Sequence, residues 1–318
     1  MFLPIFSGER MSERGKALNK ILHWSEVLRH AYGERVQKIA LDIGAGCPNR
    51  NGLTKGGCIF CDERGGGSGA YLRRMSLEEQ IMKGLNGAQK HYKTSSVILY
   101  FQSYSATNLP LERFSAALEE AFFLAEKHGA NVRAVSVSTR PDLLPQYVLD
   151  YLSSKAEETE FWVELGVQTI DQKALEWLRR GHGLAEIEDA LQRLRRTRLK
   201  ICAHLIAGIP NESPEQLKKS ALWLAERGVH ALKFHPLHVL RGTMLEKLYQ
   251  NGAFDPIDQD EYTHRVVDAL KALPDGIIIQ RLNAGARPDR LVAPQWVLDK
   301  ESMERRITSS FSATAHHA

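Results

Sequence analysis

Three cysteines lie within one short stretch, Cys47-Pro-Asn-Arg-Asn-Gly-Leu-Thr-Lys-Gly-Gly-Cys58-Ile-Phe-Cys61, and the 318-residue chain has only one other, Cys202. Ten residues separate the first two cysteines of the stretch, and two separate the next pair. Three thiolates can bind three irons of a [4Fe-4S] cluster and leave the fourth iron open to another ligand. The spacing therefore predicts an open, reactive iron–sulfur site with Cys47, Cys58 and Cys61 as its ligands.

Two other interpretations of these cysteines are open from the residues alone. A structural zinc ion takes four ligands, and no further Cys-x-x-Cys or His pair stands nearby in the sequence to complete such a set. Three unrelated buried cysteines are the second alternative, and their dense clustering disfavours it. Cys202 stands alone in an apolar strand-like segment, where a small buried hydrophobe is the expected role.

The cysteine stretch directly follows a strand-like segment that begins a long alternation of strand-like and helix-like segments. The predicted strands cover residues 38–43, 97–101, 134–138, 161–165, 200–206, 231–234 and 277–280. Six successive strand–helix units followed by extra elements indicate a parallel sheet with helices outside it. The sequence predicts an α/β fold, an incomplete (β/α)6 barrel like part of a TIM barrel, with a doubly wound sheet as the competing arrangement. In such barrels the active site lies at the C-terminal ends of the strands, where the cysteine stretch begins.

Length and composition fit one barrel with short extensions. Residues 1–35 form an expected N-terminal extension, 36–282 the barrel, and 283–318 a C-terminal extension whose tail from about Ser309 is expected to be disordered. The chain is 43% apolar with a net charge of +4, and no apolar run approaches the roughly 20 residues that span a bilayer. The cysteines do not resemble a secreted disulfide framework. We therefore expect a cytoplasmic protein with neither a membrane nor DNA as partner.

The cysteine stretch, with an aromatic residue before its last cysteine, resembles the radical S-adenosylmethionine (SAM) superfamily. Its sequence is most similar to the YhcC/YtqA-like group of bacterial proteins, relatives of the elongator catalytic subunit and of oxygen-independent coproporphyrinogen oxidase. The resemblance covers about residues 30–300. The supporting segments are Ser138-Thr-Arg-Pro-Asp142, Glu164-Leu-Gly-Val-Gln-Thr169, Arg179-Arg-Gly-His182, His204-Leu-Ile-Ala-Gly-Ile-Pro210 and His235-Pro-Leu-His-Val-Leu-Arg-Gly-Thr243.

The resemblance implies a barrel of the radical SAM type, with a [4Fe-4S] cluster and SAM as cofactors and flavodoxin or ferredoxin as reductant. A reduced cluster would cleave SAM reductively to a 5′-deoxyadenosyl radical, which abstracts hydrogen from the substrate. The same relatives point to tRNA, at a wobble uridine, as the substrate. The alternatives are a radical SAM enzyme for a small metabolite or tetrapyrrole, and a non-catalytic cluster-binding RNA or regulatory protein.

The resemblance also implies cofactor contacts in the first half of the barrel. Phe60 precedes the last cysteine, where relatives place an aromatic residue beside adenine, and core packing is the equal alternative. Gln102 and Ser103 end the second strand, where many relatives have a Gly-Gly pair that receives the methionine amino group. Backbone carbonyls serve that role regardless of the side chain, so Gln102 and Ser103 are expected SAM contacts.

Further contacts are implied in the second half of the barrel. Glu164 and Gln168 lie four residues apart, so a regular strand would point both to one face as ribose or amino contacts, with an ion pair to a neighbouring Arg as the alternative for Glu164. Arg180 is an expected neighbour of SAM or a helix-terminal cation. His204 is an expected SAM contact or a satisfied core residue, and Gly208 an approach to adenine or a plain turn.

The residues near the sixth strand and two arginine-rich regions concern the substrate. Lys233, His235 and His238 flank the sixth strand and are candidates for substrate or SAM contacts, with ordinary packing as an equal alternative. The basic residues that would form an RNA-facing surface are Arg193, Arg195, Arg196, Arg198, Lys200, Arg287, Arg290, Arg305 and Arg306, together with Trp296. A solvated helix end is the favoured interpretation of the first run.

Overall fold

The structure is a computed structural model that describes residues 21–51 and 56–315. The helices are α1 (Trp24–Tyr32), α2 (Pro48–Asn51), α3 (Leu77–Tyr92), α4 (Leu111–Lys127), α5 (Gln146–Lys155), α6 (Gln172–Trp177), α7 (Leu184–Leu194), α8 (Gln216–Glu226), α9 (Met244–Gln250), α10 (Gln259–Ala272) and α11 (Lys300–Ala315). The strands are β1 (Gln37–Leu41), β2 (Ser96–Phe101), β3 (Asn131–Thr139), β4 (Glu160–Gln168), β5 (Lys200–Ala207), β6 (Ala231–Pro236), β7 (Val239–Leu240), β8 (Ile278–Arg281) and β9 (Leu291–Ala293).

Within the described residues, seven strands form one parallel sheet in the order β1-β2-β3-β4-β5-β6-β8. The order follows the chain without reversal, which excludes the doubly wound arrangement. The Nζ of Lys38 in β1 donates to Oε1 of Gln280 in β8 over 2.9 Å, so the first and last strands face each other across the interior. The predicted incomplete barrel is confirmed, with β8 as a seventh strand after the six strand–helix units.

Alternate residues of each strand divide the interior of the barrel from its outer core. In β2, Val97, Leu99 and Phe101 face the helices, whereas Ile98 and Tyr100 face the interior. All six residues of β2 are buried. Burial on both faces explains why the sequence reads there as a continuous apolar run.

Helix α1 closes the lower, N-terminal end of the barrel. Its Trp24 packs edge-to-face on Trp162 of β4, with ring centroids 4.7 Å apart. The surrounding cluster is apolar and consists of Trp24, Val27, Leu28, Val36, Ile98, Ala134, Trp162, Cys202, Ala231 and Ile278. The N–H of Ile279 in β8 also donates to the carbonyl of Leu22 over 2.8 Å. Residues 21–35 of the predicted N-terminal extension are therefore a plug for the barrel, and the predicted domain boundaries stay a prediction.

Helix α11 extends to Ala315, so the prediction of a disordered tail is wrong for residues 309–315. Met303 and Ile307 are fully buried, and Phe311 packs on the main core from the same face. This spacing of four residues places one apolar stripe along the helix, which outweighs the Ser- and Thr-rich composition. Residues 316–318 lie outside the described part of the chain.

A local signal in the sequence marks the start of helix α3. The hydroxyl of Ser76 accepts from the N–H of Glu79 over 3.2 Å, and the Glu79 carboxylate accepts from the N–H of Ser76 over 2.7 Å. This capping box begins α3.

None of the helices that the structure describes is long and apolar enough to span a bilayer.

Candidate functional site

The three clustered cysteines line one cavity of about 270 Å³. The cavity is also lined by residues from the C-terminal ends of β2 to β6 and of β8. Cys58 is buried, and Cys47 and Cys61 are partly buried. Cys202 instead lies in the lower apolar cluster, as expected for a small buried hydrophobe.

The cysteine stretch is tied to the segment that follows β4. The side-chain amide of Asn49 donates to the carbonyls of Arg179 and Arg180 over 2.8 and 2.6 Å. Gly181 makes this approach possible, since a Cβ there would lie 2.2 Å from Oδ1 of Asn49. Asn49 therefore positions the loop, a role that its place between Cys47 and Cys58 did not reveal.

Two buried arginines contact the cysteine sulfurs. Arg180 donates to Sγ of Cys58 over 3.3 Å, and Arg140 donates to Sγ of Cys47 over 3.5 Å. Arg180 is an expected neighbour of SAM, whereas Arg140 has no predicted role beyond its place in the Ser138–Asp142 segment. A cation beside a sulfur stabilises the thiolate form that binds metal.

Arg140 is held from behind by Asp142. The guanidinium donates to both carboxylate oxygens, over 2.9 and 2.7 Å. Burial opposes the shift, but the neighbouring His182 and the Arg140 guanidinium lower the pKa of Asp142 to about 2. Asp142 is therefore ionised throughout the physiological range and fixes Arg140 against Cys47. The signal in the sequence was the Arg-Pro-Asp segment, whose acid and base stand two residues apart.

The residues at this end of the barrel fit an iron–sulfur cluster. Within residues 21–51 and 56–315, no three His, Cys, Asp or Glu side chains are placed to hold one metal ion, as structural zinc requires. A four-iron cluster takes each cysteine on a different iron, so its sulfurs need not meet at one point. Burial, followed by the neighbouring Cys58, raises the pKa of Cys61 to about 12. A thiol with that pKa is a poor nucleophile at neutral pH but becomes a thiolate on binding metal.

Six of the eight predicted cofactor-binding residues line this cavity, namely Phe60, Gln102, Glu164, Gln168, Arg180 and His204. Ser103 and Gly208 do not line it. Ser103 follows the end of β2 and lies against Gly67, where an added Cβ would lie 2.0 Å from the serine hydroxyl. Gly208 has a φ of +88° and packs against Ile257.

Phe60 combines the two roles that the sequence left open for it. Its side chain is partly buried and packs against an apolar cluster that contains Ile59, Leu178 and Leu237. The same side chain lines the cavity. Its contact with adenine stays a prediction.

Glu164 forms the centre of a buried ion-pair network inside the barrel. Its Oε1 accepts from Lys38 over 2.5 Å, and its Oε2 accepts from Lys233 and from Nε2 of His204. Burial alone would raise the pKa of Glu164, but Lys233 and Lys38 hold it well below its ordinary value. The expected alternative for Glu164, a structural ion pair, is present, with lysines rather than an arginine as partners.

Further polar side chains complete this network. The Nζ atoms of Lys38 and Lys233 lie 4.7 and 4.8 Å from the ring centroid of Tyr100, whose hydroxyl bonds with Ser138 over 2.9 Å. Burial, followed by the charge of Lys233, lowers the pKa of His204 to about 4, so its imidazole is neutral. The sequence did not predict Lys38, Tyr100 and Ser138 as site residues. Polar residues at alternate positions of an apolar strand nevertheless indicate side chains that face a polar interior.

Gln168 reaches the cavity by an irregular path. Gln168 lies beyond the predicted strand 161–165; the register of β4 shifts between Leu165 and Gln168, and Gln168 has a φ of +74°. A Cβ at Gly166 would lie 2.9 Å from Nε2 of Gln168 and 3.0 Å from the Arg180 guanidinium. Gly166 is therefore required for both side chains to enter the cavity together.

Most of the arginines predicted to form an RNA-facing surface pair with acids instead. Trp296 is half-buried, and its ring lies 5.2 Å from that of Tyr262. The ion pairs are Arg193–Asp189, Arg287–Asp289, Arg290–Glu63, Arg305–Glu301 and Arg306–Asp260. Ion pairing offsets the positive charge that would attract phosphates, so these residues give little support to an RNA surface.

Comparison with known proteins identifies the class to which this fold and site belong. A sequence model of the "Radical SAM superfamily" matches residues 41–224, and one of the "Radical_SAM C-terminal domain" matches residues 229–312. The chain therefore belongs to the radical SAM superfamily, whose enzymes use a [4Fe-4S] cluster and SAM.

Among individual proteins, the chain is similar to YtqA of Bacillus subtilis, with 34% identity over 86% of this chain and 84% of that protein. It is also similar to YhcC of Escherichia coli K12, with 33% identity over 85% of each. A tRNA uridine(34) acetyltransferase of Dehalococcoides mccartyi is 27% identical over 53% of this chain and 37% of that protein.

A solved structure with the same fold is that of Methanocaldococcus infernus Elp3 with an N-terminal deletion. It matches with a TM-score of 0.66 and 20% identity, over 87% of this chain and 63% of that chain. The present chain thus spans less than two thirds of that structure. Likeness at this identity shows the shared barrel fold alone.

Proposed function

We propose that this radical SAM enzyme modifies tRNA at a wobble uridine, that Cys47, Cys58 and Cys61 hold its cluster, and that flavodoxin or ferredoxin reduces it. The observation that carries the proposal is the cavity at the C-terminal ends of the strands. All three cysteines and six of the eight predicted cofactor-binding residues line it. When bound there, the cluster and SAM supply a 5′-deoxyadenosyl radical that takes a hydrogen atom from the substrate.

The residues of this chain would bind, orient and shield these groups. The cysteine sulfurs hold the metal, and Arg140 and Arg180 offset the negative charge of the thiolates. Gln102 donates to the carbonyl of Gly66 over 2.8 Å, which fixes the loop after the cysteines over the cavity. The apolar plug beneath keeps water from entering through the lower end of the barrel.

Two observations support tRNA as the substrate. The matched acetyltransferase is named for uridine 34 of tRNA, although it shares only about half of this chain. In addition, Tyr71 and Leu72 are 54% and 57% exposed beside the cysteine loop, and Arg73 and Arg74 next to them are also exposed. An aromatic ring beside two cations suits stacking on a base and contact with phosphate.

The proposal is tested by anaerobic reconstitution with iron and sulfide, followed by SAM, dithionite and bulk tRNA. We expect 5′-deoxyadenosine from the wild-type protein, stimulated by tRNA, and none from the Cys47→Ala, Cys58→Ala and Cys61→Ala variants. Product formed without any effect of tRNA would contradict the substrate. No product from a protein with a verified four-iron cluster, with or without tRNA, would contradict the reaction.

A double variant tests the proposed tRNA contact. Arg73→Gln with Arg74→Gln is expected to reduce the stimulation by tRNA several-fold, since phosphate contacts dominate affinity for nucleic acids. The control is Arg287→Gln, which removes an exposed arginine that already pairs with Asp289. Equal stimulation in both variants would contradict a role for the exposed segment.

A further inference from the structure

We propose that Arg281 and His235 form a subsite for an anionic group of the substrate, a carboxylate or a phosphate. Arg281 ends β8 and His235 lies in β6, and both line the cavity. The inference rests on the proposed function in so far as the substrate enters this cavity. It specifies the chemical class of the substrate group that lies inside the barrel.

The first observation is that Arg281 lacks a partner. Of the arginines that line the cavity, Arg50 donates to the carbonyl of Asp62, Arg140 pairs with Asp142, and Arg180 donates to the carbonyl of Gly166. Arg281 is half-buried, and within the described residues its side chain makes neither a hydrogen bond nor an ion pair. Withdrawing an unpaired charge from water is costly, so a ligand that supplies the missing anion would be strongly favoured.

The second observation is the excess of positive charge around Arg281. Lys233 in β6 and Arg281 in β8 occupy neighbouring backbone positions in the sheet. The carboxylate of Glu164 in this part of the cavity is already shared by Lys38 and Lys233. Burial lowers the pKa of Lys233 to about 7 against the opposing effect of Glu164, and the charge of Lys38 lowers it further. A bound anion would offset this excess.

The third observation is a buried ring nitrogen of His235, Nε2, that has no hydrogen-bond partner within the described chain. Burial, followed by the charge of Arg281, holds the pKa of His235 well below its ordinary value, so the ring is neutral. A neutral imidazole with its proton on Nε2 can donate to an anion that the guanidinium also binds.

The position of this pair separates it from the cysteines. The cations that contact cysteine sulfurs come from the end of β3 and from the segment after β4, namely Arg140 and Arg180. Arg281 and His235 come from β8 and β6. A planar guanidinium binds carboxylate and phosphate in the same two-pronged geometry, so these two groups define the class of ligand.

The test is a titration of the full-length, cluster-loaded protein with saturating SAM. Isothermal calorimetry with inorganic phosphate and, separately, with malonate distinguishes the two kinds of anion. We expect one of them to bind to the wild type, and Arg281→Met to weaken that binding at least tenfold. Arg281→Lys should retain part of it, and SAM affinity should change less than twofold. The matched control, Arg287→Met, removes an exposed arginine outside the cavity and should bind the anion as the wild type does.

Three outcomes would overturn the proposal: neither anion binds to the wild type, Arg281→Met binds the anion as tightly as the wild type, or Arg281→Met loses affinity for SAM instead. The last would assign Arg281 to the cofactor. If Arg281→Met does not fold, His235→Phe replaces it, since loss of the Nε2 donor should weaken anion binding about fivefold. The titration requires no turnover, so a failure of the tRNA proposal leaves its result readable.

Discussion

The two ends of the barrel interior are built from the same strands but hold opposite kinds of side chain. In β4, Trp162 lies in the apolar cluster that packs against the plug, and Glu164, two residues later, lies in the ion-pair network. Each is 1% exposed. Burial is thus equal at both ends, and only the partners differ. The two positions are two residues apart and therefore on the same face of the strand, yet one serves stability and the other prepares the cavity for ligands.

The largest effect should follow from breaking the polar end. Glu164→Gln leaves Lys38 and Lys233 buried without their anion, and we expect a loss of about 4 kcal/mol in the free energy of unfolding. Urea unfolding of the protein measures this. The matched control is Glu160→Gln, in the same strand at the other end, where the Trp162 indole donates to Glu160 over 2.6 Å and an amide oxygen can replace the carboxylate. Equal losses in the two variants would refute the distinction between the ends.

The apolar end should yield a smaller loss that is confined to stability. Trp24→Ala empties the centre of the plug, and we expect a loss of about 3 kcal/mol. Iron content and SAM affinity of the folded variant should equal those of the wild type, because the cluster around Trp24 contains none of Cys47, Cys58 and Cys61. Unfolding and iron analysis of one preparation test both statements. Loss of the cluster from the folded variant would show that the two ends are coupled.

The smallest effect sharpens the comparison within the polar end. Arg140→Gln removes the positive charge beside Sγ of Cys47, and a reduced cluster carries one more negative charge. We expect the reduction potential to fall by about 60 mV, the equivalent of about 1.4 kcal/mol for one electron. Redox titration followed by electron paramagnetic resonance measures it. Arg193→Gln, on the surface beside Asp189, is the control. An unchanged potential in Arg140→Gln would exclude this arginine from tuning the cluster.

The sequence predicted what depends on neighbouring residues. The strand–helix units are encoded by neighbouring residues, and the three cysteines that line the cavity stand close together in the sequence. The partners of Glu164 are not, because Lys38 lies 126 positions away and reaches it only when the sheet curls. Which of Gln102 and Ser103 reaches the cavity depends on the path of the chain after β2, which residue type does not fix.

The plug and the final helix show what composition does not reveal. Residues 21–35 belong to the expected N-terminal extension, and tertiary contacts place its Trp24 in a core. Around Ser309, the polar composition masked the apolar stripe formed by Met303, Ile307 and Phe311. In both places long-range packing decided the structure, and a prediction from local propensity lacks that information.

The hydrogen bond from Ile279 to Leu22 has a consequence for biosynthesis. The ribosome delivers residue 279 long after residue 22, so the plug cannot lock until β8 has emerged. Until then the apolar face of α1 has no completed surface on which to dock. Pairing over such a separation makes folding slow and leaves hydrophobic surface exposed in the meantime. We therefore expect the nascent chain to expose an apolar surface that chaperones bind until β8 has been synthesised.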